Sequence, residues 1–469
     1  MSLDAALNAA QLSLSANSKR IMVSALNVAG ANDPNYSRKL SPLVMENGGV
    51  YAAGPTRAGD TRLYERYLEA TSASARDGAL LSGYMRLSDT VGDTSAGTSL
   101  VARLGALTDA LTEYANAPGD DNLARAAVTG ARDLAVALND AASVVNEVRS
   151  GAAEEIKTSV GRINTLLQEF RQVNARVVHG SVAGSDVTDD LDRRDALVAQ
   201  LAGEVGVSIV TRANNDMVLY TDGGVTLFET TAREVRAEVG GGTARVFIDG
   251  VQVAGDAPQM PSKSGKLVGL TELHNEVVKD YGAQLDTLAF GLIQAFREVD
   301  PAASGADLQG LFVGGGGSAA LPASAGGLAG TIAINAAVDS RASGDPGKLR
   351  DGINYSYNTE SAPAYADQLF GLLGQLGDTA VAGLGGKRPL DYAAATVSWV
   401  ESGRKAAYSA AESNGAVVQL VTTSLSNARG VDINEETALQ LELERLFAAS
   451  AQLISVVDNM FQSLLNAVR

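Results

Sequence analysis

The sequence predicts a mainly α-helical chain carrying a β-rich insertion in its middle. Three observations lead there. Both ends are free of Gly and Pro and carry apolar residues at helical spacing. The stretch from about 61 to 210 sustains that periodicity for many turns. The middle, about 206–355, alternates β-branched residues with turn dipeptides instead.

From Met1 to Ala29 there is neither Gly nor Pro. Leu3, Leu7, Ala10, Leu14, Ile21 and Val28 form one apolar stripe on a helix. Charges are confined to Asp4, Lys19 and Arg20, and the apolar residues are dispersed. A cleavable signal peptide, with a basic start and an unbroken apolar run, is not expected. Gly30, Pro34, Tyr36 and Arg38 then mark a sharp corner.

The other end mirrors this. After Gly430 neither Gly nor Pro occurs, and a fully helical Val431–Arg469 would extend roughly 55–60 Å. Asp432 and Glu435 have capping-box spacing. Leu439, Leu443, Leu446, Ser450, Leu453, Val457, Met460 and Leu464 alternate at spacings of four and three, a heptad seam. Phe447, Ile454, Phe461 and Val468 add a second row. Such a face is too wide for a simple two-helix contact and predicts a partner. The terminal helices are expected to pair as a coiled coil, buried further by neighbouring copies. The candidate assembly interface is Leu3, Leu7, Leu14 and Ile21 with Leu439, Leu443, Leu446, Leu453, Val457, Met460 and Leu464.

Between the ends, Leu134, Leu138, Ala141, Val145, Val148 and Ala152 make one row, continued by Ile156, Val160, Ile163, Leu167, Phe170 and Val177. An elongated helical bundle follows from rows this long. A returning segment, about Leu390 to Ala428, is positioned to pack against it. In the middle, Asn214-Asn215-Asp216, Asp222-Gly223-Gly224 and Asp249-Gly250 punctuate strands, and a helical insert spans about Leu267 to Val299. Pro301 to Gly352 reads as a Gly-, Ala- and Ser-rich loop with a strand in GTIAINAAV. The expected organisation is a terminal unit (1–35 with 431–469), an elongated helical domain (36–205 with 356–430) and an outer β-containing domain (206–355).

Composition narrows the function. The net charge of −17 argues against nucleic acid or an anionic membrane surface as partner. No segment predicts membrane insertion. Without cysteine there is no disulfide, thiolate metal site or cysteine nucleophile. His179 and His274 are too far apart in sequence to suggest a metal pair, and no HExxH occurs. VGGGGS and GLGGKRP both lack the features of a phosphate-binding loop. No catalytic residue, metal or cofactor is expected, and the chain reads as a non-enzyme. The densest charged cluster, DDLDRRDALVAQL, spans Asp189 to Leu201. Asp189–Arg193 and Asp190–Arg194 have i,i+4 spacing. The cluster, with Asp192, Arg194 and Asp195 at its centre, is expected to form structural ion pairs.

Three stretches resemble the hook-associated members of the bacterial flagellar axial proteins. One is the corner, where Asn27, Asn32, Pro34, Tyr36, Ser37 and Arg38 match the family pattern. Leu26 and Gly30 stand where the family often has Asn, and Asn35 where it often has Gly. The second is LDRRDALV, matching at Leu191, Asp192, Arg194, Asp195, Leu197 and Val198. The third is the C-terminus from Gly430, departing at Glu444-Arg445-Leu446-Phe447 where the family is rich in aromatics. The resemblance implies terminal helices lying together in the inner tube of the flagellum, with the corner leading the chain outward. It implies a structural adaptor that joins hook to filament in a quasi-helical ring of its own copies. Implied partners are the hook protein, a second junction protein, an export chaperone and the type III export apparatus. The implied location is extracellular. A hook or rod subunit is the alternative within the class. A surface adhesin or ligand-binding protein acting through 206–355 is the alternative outside it.

Overall fold

The computed structural model describes residues 3–46, 49–92, 97–303, 305–315, 318–377, 381 and 383–468. Helix α1 (Leu3–Gly30) is followed by four short strands: β1 (Lys39–Leu40), β2 (Leu43–Glu46), β3 (Gly49–Ala52) and β4 (Thr56–Arg57). β2 and β3 form a hairpin whose second strand packs on α1, and β4 returns to pair with β1.

Four helices come next: α2 (Thr61–Ser88), α3 (Leu100–Asn116), α4 (Asp121–Ala183) and α5 (Thr188–Glu204). Their ends follow local chemistry. The Asp60 carboxylate accepts from the N–H groups of Arg62 and Leu63 at 2.8 and 3.2 Å, and Ser99 and Asp120 do the same job for α3 and α4. Gly184, left-handed at φ 68°, closes α4. At 63 residues α4 is about 95 Å long and forms the spine of the molecule. All twelve apolar positions of the two rows anticipated along it are buried.

The middle contains two antiparallel meanders. β5 (Val207–Thr211), β6 (Met217–Thr221) and β7 (Thr226–Phe228) form one; β8 (Val235–Gly240), β9 (Thr243–Ile248) and β10 (Val251–Ala254) form the other. The β9–β10 turn has Asp249 and Gly250 at φ 51° and 82°, the two left-handed residues a tight hairpin demands. Helix α6 (Lys266–Glu272) runs through one π turn into α7 (Val278–Ala295). These helices pack on α2, α4 and α10. Close approach is built in: a methyl group added at Gly269 would lie 2.4 Å from the Arg76 carbonyl oxygen of α2.

β11 (Phe312–Val313) pairs with β12 (Ala333–Ile334), the latter inside GTIAINAAV. Gly316 and Gly317 of VGGGGS lie outside the described residues. A short α8 (Lys348–Asp351) and α9 (Asp367–Gly377) precede α10 (Pro389–Arg429), which returns along α2. Trp399 of α10 stacks on Tyr281 of α7 with ring centroids 6.3 Å apart. Finally α11 (Ile433–Val468) lies against α1. One continuous apolar core joins α2–α7, the meanders, α9 and α10. Among the described residues it has no member before Leu63 or after Leu425. No described helix is long and apolar enough to cross a membrane.

Candidate functional site

The site begins with the helix pair α1/α11. Ser13 and Ser450 hydroxyls meet at 3.2 Å, and the Ser24 hydroxyl donates to the Glu436 carbonyl oxygen at 3.2 Å. The two helices are therefore antiparallel. On α11 the buried positions are Glu436, Leu443, Ser450 and Val457, one residue in seven. They face Ala10, Asn17, Ser24 and their neighbours, the buried stripe of α1. Small and polar residues in this stripe leave little apolar area to hold the pair together.

The other half of the anticipated seam points elsewhere. Leu446, Leu453, Met460 and Leu464 are 43–57% exposed, and Leu441, Val456 and Leu465 beside them are exposed too. On α1, Leu3, Leu7, Leu14 and Ile21 are half-buried, while Met22 and Leu26 are exposed. Thus Leu443 and Val457 are covered within the chain, Leu439 partly so, and the remaining α11 candidates form an open apolar face.

The corner is built around Asn27. Its amide nitrogen donates to the Lys39 carbonyl oxygen at 2.9 Å and to Glu436 Oε1 at 3.1 Å. Its amide oxygen accepts from the Lys39 N–H and the Tyr36 hydroxyl, at 2.8 and 3.0 Å. The Tyr36 ring lies so close to Gly30 that an added methyl would sit 2.5 Å from it, which is why glycine serves here. The bend needs no left-handed residue at Asn35. Asp33 holds it, accepting the Tyr36 N–H at its carbonyl oxygen and the Asn35 N–H at its carboxylate. Burial, then the nearby Asp189, Asp192 and Glu436 carboxylates, push the Tyr36 hydroxyl far above its ordinary pKa, so it stays a donor. Asn32 and Pro34 are exposed on the outer wall of the bend.

Arg38 ties the corner to α11: its Nε donates to Glu436 Oε1 at 2.7 Å, and its backbone N–H to the Arg429 carbonyl oxygen at 2.7 Å. Asp432 caps α11, but the expected reciprocal contact from Glu435 is replaced by an ion pair from Arg38 to the Glu435 carboxylate at 3.4 Å.

The acidic cluster at the start of α5 receives the corner, with different partners from those its spacing suggested. Asp189 pairs with Lys39, Asp190 with Arg176 of α4, and Arg193 with Glu169 of α4. Asp192 and Asp195 share Arg57 of β4, at 2.8 and 3.0 Å from the same guanidinium nitrogen. Arg194 corrects the expectation of an ion-pair centre. Among the described residues it forms no ion pair; it is 3% exposed and donates to the Asn174 side chain and the Asn215 carbonyl oxygen, at 3.0 and 2.5 Å. Helical geometry explains this: Asp192 and Asp195 are three apart and share the face that meets Arg57, whereas Arg194 leaves on another face, towards α4 and the β5–β6 turn. Burial lowers the Arg194 guanidinium pKa, although Asp195 opposes the shift. Burial also raises the Asp195 carboxyl above its ordinary value, outweighing Arg57 and Arg194. Arg57, Lys39 and Glu436 are central here, and no periodicity in the sequence singles them out.

Residues 84–316 match the family model for the flagellar hook-associated protein FlgK helical domain. The chain is also 21% identical, over 515 aligned positions and 98% of each chain, to flagellar hook-associated protein 1 of Bacillus subtilis (strain 168). The solved flagellar hook junction protein FlgK from Burkholderia pseudomallei aligns at a TM-score of 0.43 and 20% identity, over 54% of this chain and 47% of that one. The helical body carries an uncovered apolar face on its paired terminal helices. The chain is thus similar to the flagellar hook-associated proteins over residues 84–316 and, across its length, to hook-associated protein 1.

Proposed function

We infer that this chain is a non-enzymatic structural subunit of the bacterial flagellum, exported to the cell exterior and assembled at the junction of hook and filament. The family match and the full-length similarity to hook-associated protein 1 support this reading over a hook or rod subunit. One observation carries it: the open row Leu446, Leu453 and Met460 on α11, with Leu464 exposed beside its end. An apolar face of this length on a surface helix is stable in water only when covered. From Leu446 to Val468 its only charge is Asp458, so nothing on it opposes burial.

In this reading the terminal pair, a coiled coil, forms the inner part of a quasi-helical ring, and copies of the chain cover one another's α11 rows. The helical domain (36–205 with 356–430) surrounds it and the 206–355 region lies outermost. The hook protein sits on one side of the ring and a second junction protein on the other; an export chaperone holds the apolar face until the type III apparatus takes the chain. Asn27, Asn32, Pro34, Tyr36 and Arg38 set the angle at which the chain leaves the ring.

Leu453→Asp combined with Met460→Asp tests this in cells lacking the wild-type protein. Both side chains are exposed in the monomer, so folding and export should persist. A carboxylate buried between copies costs several kcal/mol, so the variant should fail to stay at hook tips and filaments should be lost. Normal swimming and normal immunolabelling of hook tips would reject the assembly face.

A further inference from the structure

Apart from the apolar face, the part of the molecule with the most unusual construction is the joint between the terminal unit and the body. Within the terminal unit the contacts are dense and directional. Asn27 locks α1 to the corner, Glu436 locks α11 to both, and the Tyr36 ring closes on Gly30. Within the body the apolar core is continuous. Between the two, that core contributes nothing: it has no described member before Leu63 or after Leu425. What crosses instead is polar. Lys39 pairs with Asp189, Arg57 with Asp192 and Asp195, the Ser37 N–H donates to Asp192 at 3.2 Å, and the Arg38 N–H donates to Arg429.

Space flanks these contacts on both sides. One cleft of about 890 Å³ opens between the corner and the end of α10; another of about 390 Å³ opens between β4 and the β5–β6 side of the body. Asp195, Tyr64 and Arg429 line both. Two buried polar atoms beside the joint lack a hydrogen-bond partner, Arg194 Nε and Glu436 Oε2.

We propose that the Arg57–Asp192–Asp195 contact is an ionic clamp that sets the angle of the terminal unit on the body, so that releasing it lets the unit swing while the body stays folded. Ion pairs suit this task. They hold a direction, and because Asp192 and Asp195 are largely buried, removing their shared cation leaves both carboxylates unpaired and favours an arrangement in which water reaches them. Arg57 is the central group because one guanidinium nitrogen serves both carboxylates. The clamp stands independently of the hook–filament reading.

The absence of cysteine makes a clean test possible. Spin labels at Gly54→Cys, beside β4, and Gly161→Cys, on α4, occupy positions where an added side chain meets open space. Distances between them in the full-length protein report the corner directly, whether or not the ends of α1 and α11 fray. At low salt the distribution should be narrow. Arg57→Gln, which removes the cation shared by Asp192 and Asp195, should broaden it. Arg57→Lys should fall between, and helical content by circular dichroism should stay unchanged throughout. A narrow distribution in Arg57→Gln, or a broad one already in the wild type at low salt, would overturn the clamp. So would loss of the body's helical signal in Arg57→Gln together with a narrow distribution in Asp189→Asn, since the contact would then belong to the core fold rather than to a separable joint.

Discussion

Asp195 shows how a single carboxyl can be held against its own solvation. Two guanidinium groups approach it, yet burial still raises its pKa above the ordinary value. The native state therefore binds this proton more tightly than the unfolded chain does. Its contribution to stability is full below the ordinary carboxyl range, near pH 4, and is lost as pH rises through the raised value. Asp195→Asn removes that dependence. Urea unfolding across pH 4 to 7 should show the wild type losing more stability than the variant over this interval; parallel curves would contradict the assignment. The neighbouring Arg194 illustrates what the sequence conceals. Its position in the cluster suggests a carboxylate partner, but its contacts are Asn174 and Asn215, which lie 20 and 21 residues away.

Among the elements, α11 divides two tasks between two rows. Glu436, Leu443, Ser450 and Val457 face α1, with Leu464 continuing their row but exposed at its end; Leu446, Leu453 and Met460 face outward. The rows should respond differently to the same substitution. Leu443→Asp places a charge in the intrachain contact, so hydrogen exchange of residues 3–30 and 433–468 should accelerate in the isolated protein. Leu453→Asp should leave that exchange unchanged. Equal effects would show that the two rows are not distinct. Existence and type of the long elements were legible in the sequence, because periodicity and punctuation are local. The rows on α4 identified its buried face, and Asp249-Gly250 marked the hairpin at the right place. Which α11 row meets α1, and which cation meets which acid on α5, were not legible. Those choices depend on tertiary packing: Lys39 meets Asp189 from 150 positions away, while Arg176 and Glu169 meet α5 across the turn after α4.

At the scale of the whole molecule, the β-rich stretch and the helices share one core. α6 and α7 lie within 206–355 but pack against α2, α4 and α10. Removing about 210–350 and rejoining the ends would strip α6, α7 and β8 from α4 and expose the apolar side chains beneath them, Val145 among them. At about 2 kcal/mol for each large apolar side chain uncovered, the loss exceeds the margin of an ordinary domain. Such a deletion should be insoluble or proteolysed in the cell rather than exported. Recovery of a soluble, helical deletion protein would show that the outgoing and returning helices suffice by themselves. The termini differ, since they contribute nothing to this core and can change arrangement without dissolving it.

The meeting of Ser13 with Ser450 has a consequence for assembly. Buried stripes repeating every seven residues on small side chains tolerate sliding, and one slip moves a helix by about 10.5 Å along its neighbour. A purely aliphatic stripe would make slipped and unslipped pairs nearly equal in energy. Two hydroxyls facing each other at one level, and Asn27 facing Glu436 at another, penalise every offset but one. The height at which Leu453 and Met460 face outward is thereby fixed to the corner, as the notches on a key are fixed to its shoulder. Each arriving subunit would then find its predecessor's apolar row at the same level.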